Sequence, residues 1–348
     1  MISFSGRVVT GRGEAAVFTQ LDWVRDRLVE ELGVEPHPGT VNLIVDRSSD
    51  AEAWSAVRSR PGIRLDHPSG HFCGARCYPV RLDGRLPAGI VVPEVPGYPP
   101  SQVELISALP LRQTLAVTDG GWVSVATSEP FDARAVLFDV DGTLVDSLNA
   151  FRIVAERAAA PYGVTITEAV VREALNTTQP FWELALPADW ADRAATMKKL
   201  AREAAGLWPS VLREHGRVFP GVSAVLGSLR DRGVKLGIVT GSRRGSLEAL
   251  RDADLLDVFD AVVTGADVQR RKPDPEGIVT CLAMLHVEPS DAIYAGDTPL
   301  DVRAAQAAGV FAVGVLGGAA DSAMLAACGP HRVVKSVARL LDVIRIRG

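Results

Sequence analysis

The chain has 348 residues, of which 47% are hydrophobic and 23% are charged, so its length predicts about two domains with cores of their own and argues against disorder. A formal net charge of −5 argues against nucleic acid or an anionic membrane as the main partner. The sequence shows neither a signal-like start nor an apolar run long enough to cross a bilayer, which predicts a cytoplasmic protein.

The four cysteines are too few and too scattered for a disulfide framework. His71, Cys73 and Cys77 lie close together and suggest zinc, but a closed zinc site needs four ligands and no fourth candidate is near in sequence. We therefore expect buried, reduced thiols.

Short β-type segments separated by turn signals dominate the first part of the chain and predict a small barrel. They cover residues 6–10, 41–46, 74–82, 89–92, 103–107 and 122–126. One helix is predicted to interrupt them, over residues 21–32, with Thr19 as its N-cap and Gly33 as its C-terminal stop.

Two features of this part have a chemical interpretation. The hairpin at residues 10–15 places glycines where a backbone can approach a phosphate, although a hairpin without a ligand fits the same pattern. Thr40 and Asn42 lie two apart on a predicted strand and share a face. Their oxygens suit a magnesium ion held mainly by nucleotide phosphates and water, or they satisfy backbone groups of the preceding turn.

The segments GRVVTGRGE, EPHPGTVNLIVD, FCGARCYPVRL, GIVVPE and VELISALPLRQTLAVTDGGWVSV resemble, in this order, the archaeal-type CTP-dependent riboflavin kinases. The resemblance covers residues 5–127 and implies a cradle-loop barrel that transfers a phosphoryl group from CTP to riboflavin. It implies magnesium at Thr40 and Asn42 and flavin at Glu104. The CTP site that it implies is lined by Gly11, Arg12, Gly13, Glu14 and Ala15, and by Leu109, Pro110, Leu111 and Arg112.

Two positions depart from that family. Ala15 stands where the family usually has a glycine, and its Cβ obstructs close approach of a phosphate to the backbone. Pro96 replaces a threonine whose hydroxyl would contact flavin. The alternative is therefore a barrel that phosphorylates another compound, or that only binds a nucleotide or a flavin.

The second part alternates strand-like and helical segments, which predicts a doubly wound parallel sheet. Strands are expected at 135–138, 235–240, 261–264, 292–295 and 310–315. Residues 148–219 carry no strand signal and predict an inserted helical cap. The expected domains are 1–128 and 129–348, the second with a core formed by 133–147 and 220–348.

Polar residues follow four of these strands. The stretch AVLFDVDGTLVDS delivers Asp139 and Asp141 from a buried strand into a turn. Later strands lead into Thr240-Gly241, Lys272 between residues that restrict its backbone, and Asp297 with Asp301. Each has an ordinary structural interpretation as a cap or a surface charge, but ligands bind at the carboxyl ends of strands in such sheets.

The order of these four motifs resembles the haloacid dehalogenase-like superfamily, in the subgroup with a helical cap, and most of all phosphoglycolate phosphatases and β-phosphoglucomutases. The resemblance implies Asp139 as nucleophile and Asp141 as general acid and base. It implies Thr240, Gly241 and Lys272 at the phosphoryl oxygens. The implied Mg²⁺ ligands are Asp139, the backbone carbonyl of Asp141 and Asp297, supported by Asp301.

Together the two parts predict a Mg²⁺-dependent phosphomonoester hydrolase fused to a CTP-dependent riboflavin kinase-like barrel. We expect a role in flavin metabolism, with FMN or a phosphorylated riboflavin precursor, the ribitylaminopyrimidine phosphate, as the phosphatase substrate. The alternative is a phosphatase or phosphomutase for a sugar phosphate or another small phosphorylated metabolite, joined to a non-catalytic barrel.

Overall fold

A computed structural model describes residues 1–11, 15–67, 74–242 and 247–345. The strands are β1 Ser3–Val9, β2 Val41–Ile44, β3 Ile63–Leu65, β4 Ala75–Leu82, β5 Leu86–Pro93, β6 Gln102–Ile106, β7 Trp122–Thr127, β8 Phe131–Asp132, β9 Ala135–Phe138, β10 Val145–Asp146, β11 Arg217–Val218, β12 Lys235–Val239, β13 Ala261–Val263, β14 Ala292–Gly296, β15 Phe311–Val315, β16 Arg332–Val334 and β17 Ile344–Arg345.

The helices are α1 Ala15–Phe18, α2 Asp22–Leu32, α3 Ser48–Arg58, α4 Leu111–Thr114, α5 Leu148–Ala159, α6 Glu168–Asn176, α7 Phe181–Ala185, α8 Arg193–His215, α9 Val222–Asp231, α10 Glu248–Asp252, α11 Glu276–Leu285, α12 Pro299–Ala307 and α13 Ser322–Ala327. Within the described ranges, none of these helices combines the length and the apolar character that a bilayer span requires.

The chain divides into two compact units. The first contains Met1–Phe131 and Ser322–Lys335, and the second contains Asp132–Asp321 and Ser336–Gly348. The division at residue 131 lies near the expected boundary at residue 128. The segment 322–335, which the sequence suggested as part of the second domain, groups with the first unit.

Six strands of the first unit form a closed antiparallel barrel, which confirms the predicted fold. Their order is β4-β5-β6-β2-β1-β7, and β7 pairs again with β4 to close the barrel, while β3 adds to β4. Alternate residues point inward, and the interior is filled by large apolar side chains such as Leu43, Ile90 and Leu105, all fully buried.

The helix predicted at residues 21–32 is present as α2 and ends at Gly33 as expected, but its N-cap differs from the prediction and a further helix, α3, was missed. The helix α2 begins at Asp22, and its N-cap is Leu21, which makes no side-chain cap. Thr19 instead accepts a hydrogen bond from the Gly39 amide and donates to the Ala15 carbonyl, so it fixes the turn after α1. The helix α3 was not expected, because only Trp54 and Val57 of its residues are buried and the apolar period is too short to recognise.

The cysteine prediction is partly covered by the described residues. Cys77 and Cys281 are buried free thiols, and burial raises the pKa of Cys281 to about 12. Cys328 is a partly exposed, reduced cysteine. His71 and Cys73 lie outside the described residues, and so does the zinc interpretation.

The second unit contains a parallel sheet, as predicted. Five of its strands lie in the order β13-β12-β9-β14-β15, with β9 in the centre. Every residue of β9 is buried because helices cover both faces of the sheet. In the shared register Leu137 pairs with both Gly237 and Tyr294, so the three central strands end together at one edge.

The predicted cap consists of α5, α6, α7 and α8, and it has a core of its own. Ala158, Val171, Trp182 and Leu200 are buried together in this core. The short strands β10 and β11 pair with each other where the chain enters and leaves the cap, with Asp146 opposite Arg217.

Candidate active site

Asp139 and Asp141 lie at the carboxyl end of the central strand β9. The Asp139 amide donates to the Ala295 carbonyl at 2.9 Å, which continues the strand ladder to the acid itself, and Asp139 is only 5% exposed. The chain then turns through Gly142, which has a φ of +82°. A Cβ there would lie 2.4 Å from an Asp297 oxygen, so this turn requires glycine for both conformation and space.

Lys272 is the cation at the centre of this edge. Its ammonium donates to Asp139 Oδ1 and to Asp301 Oδ1, each at 2.6 Å, and to the Tyr294 hydroxyl at 3.1 Å. The side chain is 14% exposed. Three partners satisfy the three donors of the ammonium and fix its position between two strand ends.

Asp297 is held by backbone and hydroxyl donors. Thr143 donates to Oδ1 at 3.1 Å, and the Ala319 amide donates to Oδ2 at 2.8 Å. A Cβ at Gly318 would lie 2.0 Å from Oδ2, so the loop after β15 presses its main chain against this carboxylate. These contacts hold the Asp297 carboxylate with an oxygen within 4.8 Å of an Asp139 oxygen.

Asp301 belongs to the first turn of α12 and is 1% exposed. Its Oδ2 accepts from the Thr298 amide at 3.0 Å and from the Thr298 hydroxyl at 2.6 Å, and the Thr298 hydroxyl in turn caps the Asp301 amide. Its Oδ1 accepts from Lys272 and, at 3.1 Å, from Tyr294. Both oxygens of Asp301 therefore accept hydrogen bonds from the protein, and one of these bonds holds the Lys272 ammonium in position.

The Thr240 loop borders the same edge. Thr240 is 4% exposed, and its Oγ1 accepts from the Ser242 amide at 3.1 Å, which leaves its hydroxyl hydrogen for another acceptor. A Cβ at Gly241 would lie 4.0 Å from Lys272 Cε, so this loop adjoins the lysine. The Ser242 hydroxyl donates to Asp141 Oδ2 at 2.6 Å and orients that acid.

Burial and mutual repulsion dominate the electrostatics of these carboxylates. Burial, followed by the charge of Asp301, raises the pKa of Asp297 to about 7. Burial raises the pKa of Asp139 as well, although Lys272 opposes this shift. Burial lowers the pKa of Lys272, but the charges of Asp139 and Asp301 outweigh it and hold that pKa well above its usual value.

The same carboxylates fit a divalent cation. Asp139, Asp297 and Asp301 each offer an oxygen, all within 4.8 Å of one another. Asp141 Oδ1 is buried and has no hydrogen-bond partner in the structure. Hard oxygen donors with excess negative charge are what Mg²⁺ prefers, and Asp139 and Asp297 retain lone pairs for it.

The barrel brings together a second group of predicted residues. Asn42 lies opposite Glu104 in the pairing of β2 with β6. Thr40 donates to Glu104 Oε2 at 3.3 Å, and Tyr98 donates to Glu104 Oε1 at 3.0 Å. Gln102 donates to Asn42 Oδ1 at 2.9 Å. We call Thr40, Asn42, Tyr98, Gln102 and Glu104 the barrel cluster.

The residues of the implied CTP site are only partly described. Gly11 adjoins the barrel cluster, since a Cβ there would lie 2.2 Å from Asn42 Nδ2. Arg112 donates to the Val9 carbonyl at 2.9 Å and pairs with Asp119 at 2.7 Å, so it lies at the base of the same hairpin. Leu111 is buried in the barrel core. Arg12, Gly13 and Glu14 lie outside the described residues, as does their relation to Leu109 and Pro110.

The two departures from the kinase pattern have different surroundings. Ala15 begins α1, and its carbonyl accepts from Thr19. Pro96 is exposed in a turn. Two residues after it, Tyr98 supplies a hydroxyl to Glu104, so this loop contributes a hydrogen-bond donor from a different position.

Sequence reasoning missed several polar partners. Each of Tyr294, Ser242 and Thr143 contacts Lys272 or one of the predicted acids. Tyr294 had a usable signal, because a tyrosine in an otherwise apolar central strand needs a partner for its hydroxyl. No sequence signal could have identified the Ala319 amide, because every residue except proline has a backbone N–H.

The parallel sheet, the inserted helical cap and the acids at the strand ends define an α/β protein with a site suited to phosphoryl transfer. Residues 136–315, slightly more than half of the chain, match the profile of the haloacid dehalogenase-like hydrolases. The chain therefore belongs to the haloacid dehalogenase-like hydrolase family.

The relatives of the second unit agree with this assignment. A phosphoglycolate phosphatase of Rhodospirillum rubrum is 39% identical over 186 residues, which are 51% of this chain and 77% of the relative. The crystal structure of a predicted phosphoglycolate phosphatase from Haemophilus somnus 129pt has a TM-score of 0.54 at 22% identity, and covers 61% of this chain and 98% of its own. That structural likeness supports the fold.

Residues 8–127 match the profile of the CTP-dependent riboflavin kinase domain, also described as domain of unknown function DUF120. A riboflavin kinase of Methanocella arvoryzae is 36% identical over 121 residues, 34% of this chain and 54% of that kinase. The chain thus spans about half the length of this relative. The part of the chain that resembles these kinases precedes the hydrolase domain, in the order that the sequence predicted.

Proposed function

We propose that the second unit is a Mg²⁺-dependent phosphomonoester hydrolase of flavin metabolism, acting on FMN or on a phosphorylated riboflavin precursor. The observation that carries the phosphatase assignment is the 2.6 Å hydrogen bond from Lys272 to Asp139. Asp139 follows a buried strand and stands two residues before Asp141, so a lysine and two acids meet at one strand end. The flavin assignment rests on the kinase domain that precedes it in the chain.

In the proposed reaction, Asp139 attacks the phosphorus atom while the bond between phosphorus and the ester oxygen breaks. Asp141 gives its proton to the leaving alkoxide, and an aspartyl-phosphate remains. Asp141 then accepts a proton from water, whose oxygen attacks the phosphorus and releases inorganic phosphate and Asp139. Ser242 orients Asp141 through its 2.6 Å hydrogen bond.

Thr240 and Lys272 are placed to bind the phosphoryl oxygens, where negative charge develops. Asp139, the Asp141 backbone carbonyl and Asp297 would hold Mg²⁺, and Asp301 would support them by orienting Lys272. The ion, when bound, neutralises charge on the phosphate and the carboxylates.

The test is release of inorganic phosphate from FMN and from the ribitylaminopyrimidine phosphate with Mg²⁺. We expect Asp139→Asn to lower kcat by about 10³-fold or more, because the nucleophile is lost. Asp146→Asn is the matched control, since Asp146 is an exposed acid on the neighbouring strand β10. Equal activity of Asp139→Asn and wild type would disprove the nucleophile.

We propose a second activity for the barrel, phosphorylation of riboflavin by CTP. The barrel cluster supports it, because hydroxyl, amide and carboxylate oxygens of Thr40, Asn42 and Glu104 converge beside Gly11. The test is formation of FMN and CDP from riboflavin, CTP and Mg²⁺ by the Asp139→Asn variant, in which FMN would accumulate. Absence of both products would favour a barrel that only binds.

A further inference from the structure

A cavity of about 460 Å³ opens onto the catalytic acids. Asp141, Asp297 and Ser242 line one side of it, and the cap helices α5 and α8 contribute Phe151 and Trp208 to the other. This volume corresponds to about 15 water molecules at their share of the liquid, and lies within the usual range for small-molecule sites. The alcohol attached to the reacting phosphate must occupy it.

The cap side of the cavity has an aromatic corner. The rings of Phe151 and Trp208 are 6.1 Å apart and inclined by 72°. Two rings at this angle allow a planar ring to stack on one of them and meet the other edge to face. Both side chains are only partly buried, so the substrate ring would find apolar surface still accessible.

Other aromatic side chains fix this corner in place. The ring centroids of Phe181 and Phe151 are 5.3 Å apart, and the two rings are inclined by 80°. The ring of Trp182 packs against Phe181, with centroids 4.8 Å apart. Trp182 is 8% exposed and belongs to the cap core. A preformed aromatic wall binds a rigid ring with little loss of side-chain entropy.

The rest of the cap wall is apolar. In the described part of the chain, the cap residues that line the cavity are Leu148, Phe151, Leu175, Ala205, Trp208 and Pro209, and none of them is charged. A small leaving group that carries a carboxylate, such as glycolate, would leave its charge unpaired against this wall. A ring would instead remove apolar surface from water.

We propose that the cap selects phosphomonoesters whose alcohol carries a planar aromatic or heteroaromatic ring, and that Phe151 and Trp208 bind this ring. The proposal rests on the phosphatase activity proposed above and adds the part of the substrate that the cap recognises. Both flavin-related candidates belong to the selected class, whereas phosphoglycolate and simple sugar phosphates do not.

The experiment compares FMN with ribitol 5-phosphate, which has the same reacting alkyl phosphate without the ring. We expect kcat/KM of wild type to be at least about tenfold higher for FMN, and lowest for phosphoglycolate. Trp208→Leu and Phe151→Leu should each reduce the ratio of kcat/KM for FMN to kcat/KM for ribitol 5-phosphate by about twofold to tenfold, the range expected for an aromatic contact. Trp190→Leu is the matched control, because Trp190 is a half-buried cap tryptophan outside the cavity lining, and it should leave the ratio unchanged.

Two outcomes would overturn the proposal while leaving the phosphatase intact. One is hydrolysis of phosphoglycolate or ribitol 5-phosphate by wild type as efficiently as FMN. The other is a reduction of kcat/KM in Trp208→Leu and Phe151→Leu that is equal for FMN and for ribitol 5-phosphate. Failure of the phosphatase itself looks different, since then no ester releases phosphate faster than with Asp139→Asn.

Discussion

The hydrolase site and the barrel cluster differ in how their carboxylates are stabilised. In the hydrolase, Asp139, Asp297 and Asp301 converge within 4.8 Å around the ammonium of Lys272. In the barrel cluster, Glu104 is the one carboxylate, and the hydroxyls of Thr40 and Tyr98 donate to it. The carboxylates of the first site carry an excess negative charge that a further cation would offset, whereas the single carboxylate of the barrel cluster already accepts hydrogen bonds from two hydroxyls. The two sites should therefore respond differently when single groups are removed.

The largest effect should come from Lys272→Met. Removing the ammonium leaves buried carboxylates uncompensated, which typically costs about 3–5 kcal/mol of unfolding free energy. It also removes a phosphate-binding group, so we expect kcat to fall by roughly 10³-fold. Urea unfolding of the metal-free protein would measure the loss of stability. An assay of released phosphate would measure the loss of activity. Lys235→Met is the control, since Lys235 forms an exposed pair with Asp260 at 3.4 Å; equal losses in both variants would contradict this account.

The opposite sign is expected for Asp297→Asn in the metal-free protein. Because burial raises the pKa of Asp297 to about 7, the native state binds more protons than the unfolded state between about pH 4 and pH 7. This group therefore lowers stability as pH rises through that window, and its full cost is present above pH 7. Asn removes the cost, so we expect unfolding free energy at pH 8 to rise by about 1–3 kcal/mol while Mg²⁺-dependent activity is lost.

The decisive comparison for this variant is between pH 5 and pH 8. The gain over wild type should be small at pH 5, where Asp297 is already protonated, and larger at pH 8. A gain that does not depend on pH would show that packing and not charge is responsible.

Mg²⁺ affinity should follow the same titration. The ion competes with the proton on Asp297, so affinity should increase by roughly tenfold from pH 6 to pH 8. Calorimetry in two buffers of different ionisation enthalpy would detect the released proton. Affinity that is constant over this range would mean that Asp297 is ionised before the ion arrives.

The smallest effect belongs to the barrel cluster. Tyr98→Phe removes one hydrogen bond to Glu104, and we expect a loss of about 1 kcal/mol in unfolding free energy. The control Tyr162→Phe lies in the cap, outside this cluster. A gain in stability for Tyr98→Phe would mean that Glu104 is strained rather than satisfied, and would remove the contrast between the two sites.

Sequence alone pointed to Asp139, Asp141 and Asp297 because they follow the ends of apolar strands, where a parallel sheet gathers its ligands. It did not predict their partners. Ser242 reaches Asp141 across about a hundred residues, and the Ala319 amide reaches Asp297 from a different loop, so only the folded register reveals them. Thr19 was predicted as an N-cap because threonine is common at that position. In the structure it instead accepts a hydrogen bond from the Gly39 amide.

The cap cavity illustrates the same limit. Phe151 and Trp208 lie far apart in sequence on α5 and α8, and each fits an ordinary amphipathic helix. Only the packing of the two helices creates a corner between their rings. Substrate selection is therefore harder to predict than the reaction, because it depends on contacts between helices and not on strand ends.

The paired strands β10 and β11 have a consequence for protein engineering. Asp146 lies opposite Arg217, so the chain enters the cap and leaves it at adjacent points. Segments whose ends meet in this way can be exchanged as cassettes without rerouting the surrounding chain. The stretch between these two residues could be transplanted from a relative with another substrate, and the host would keep its own nucleophile, lysine and acids.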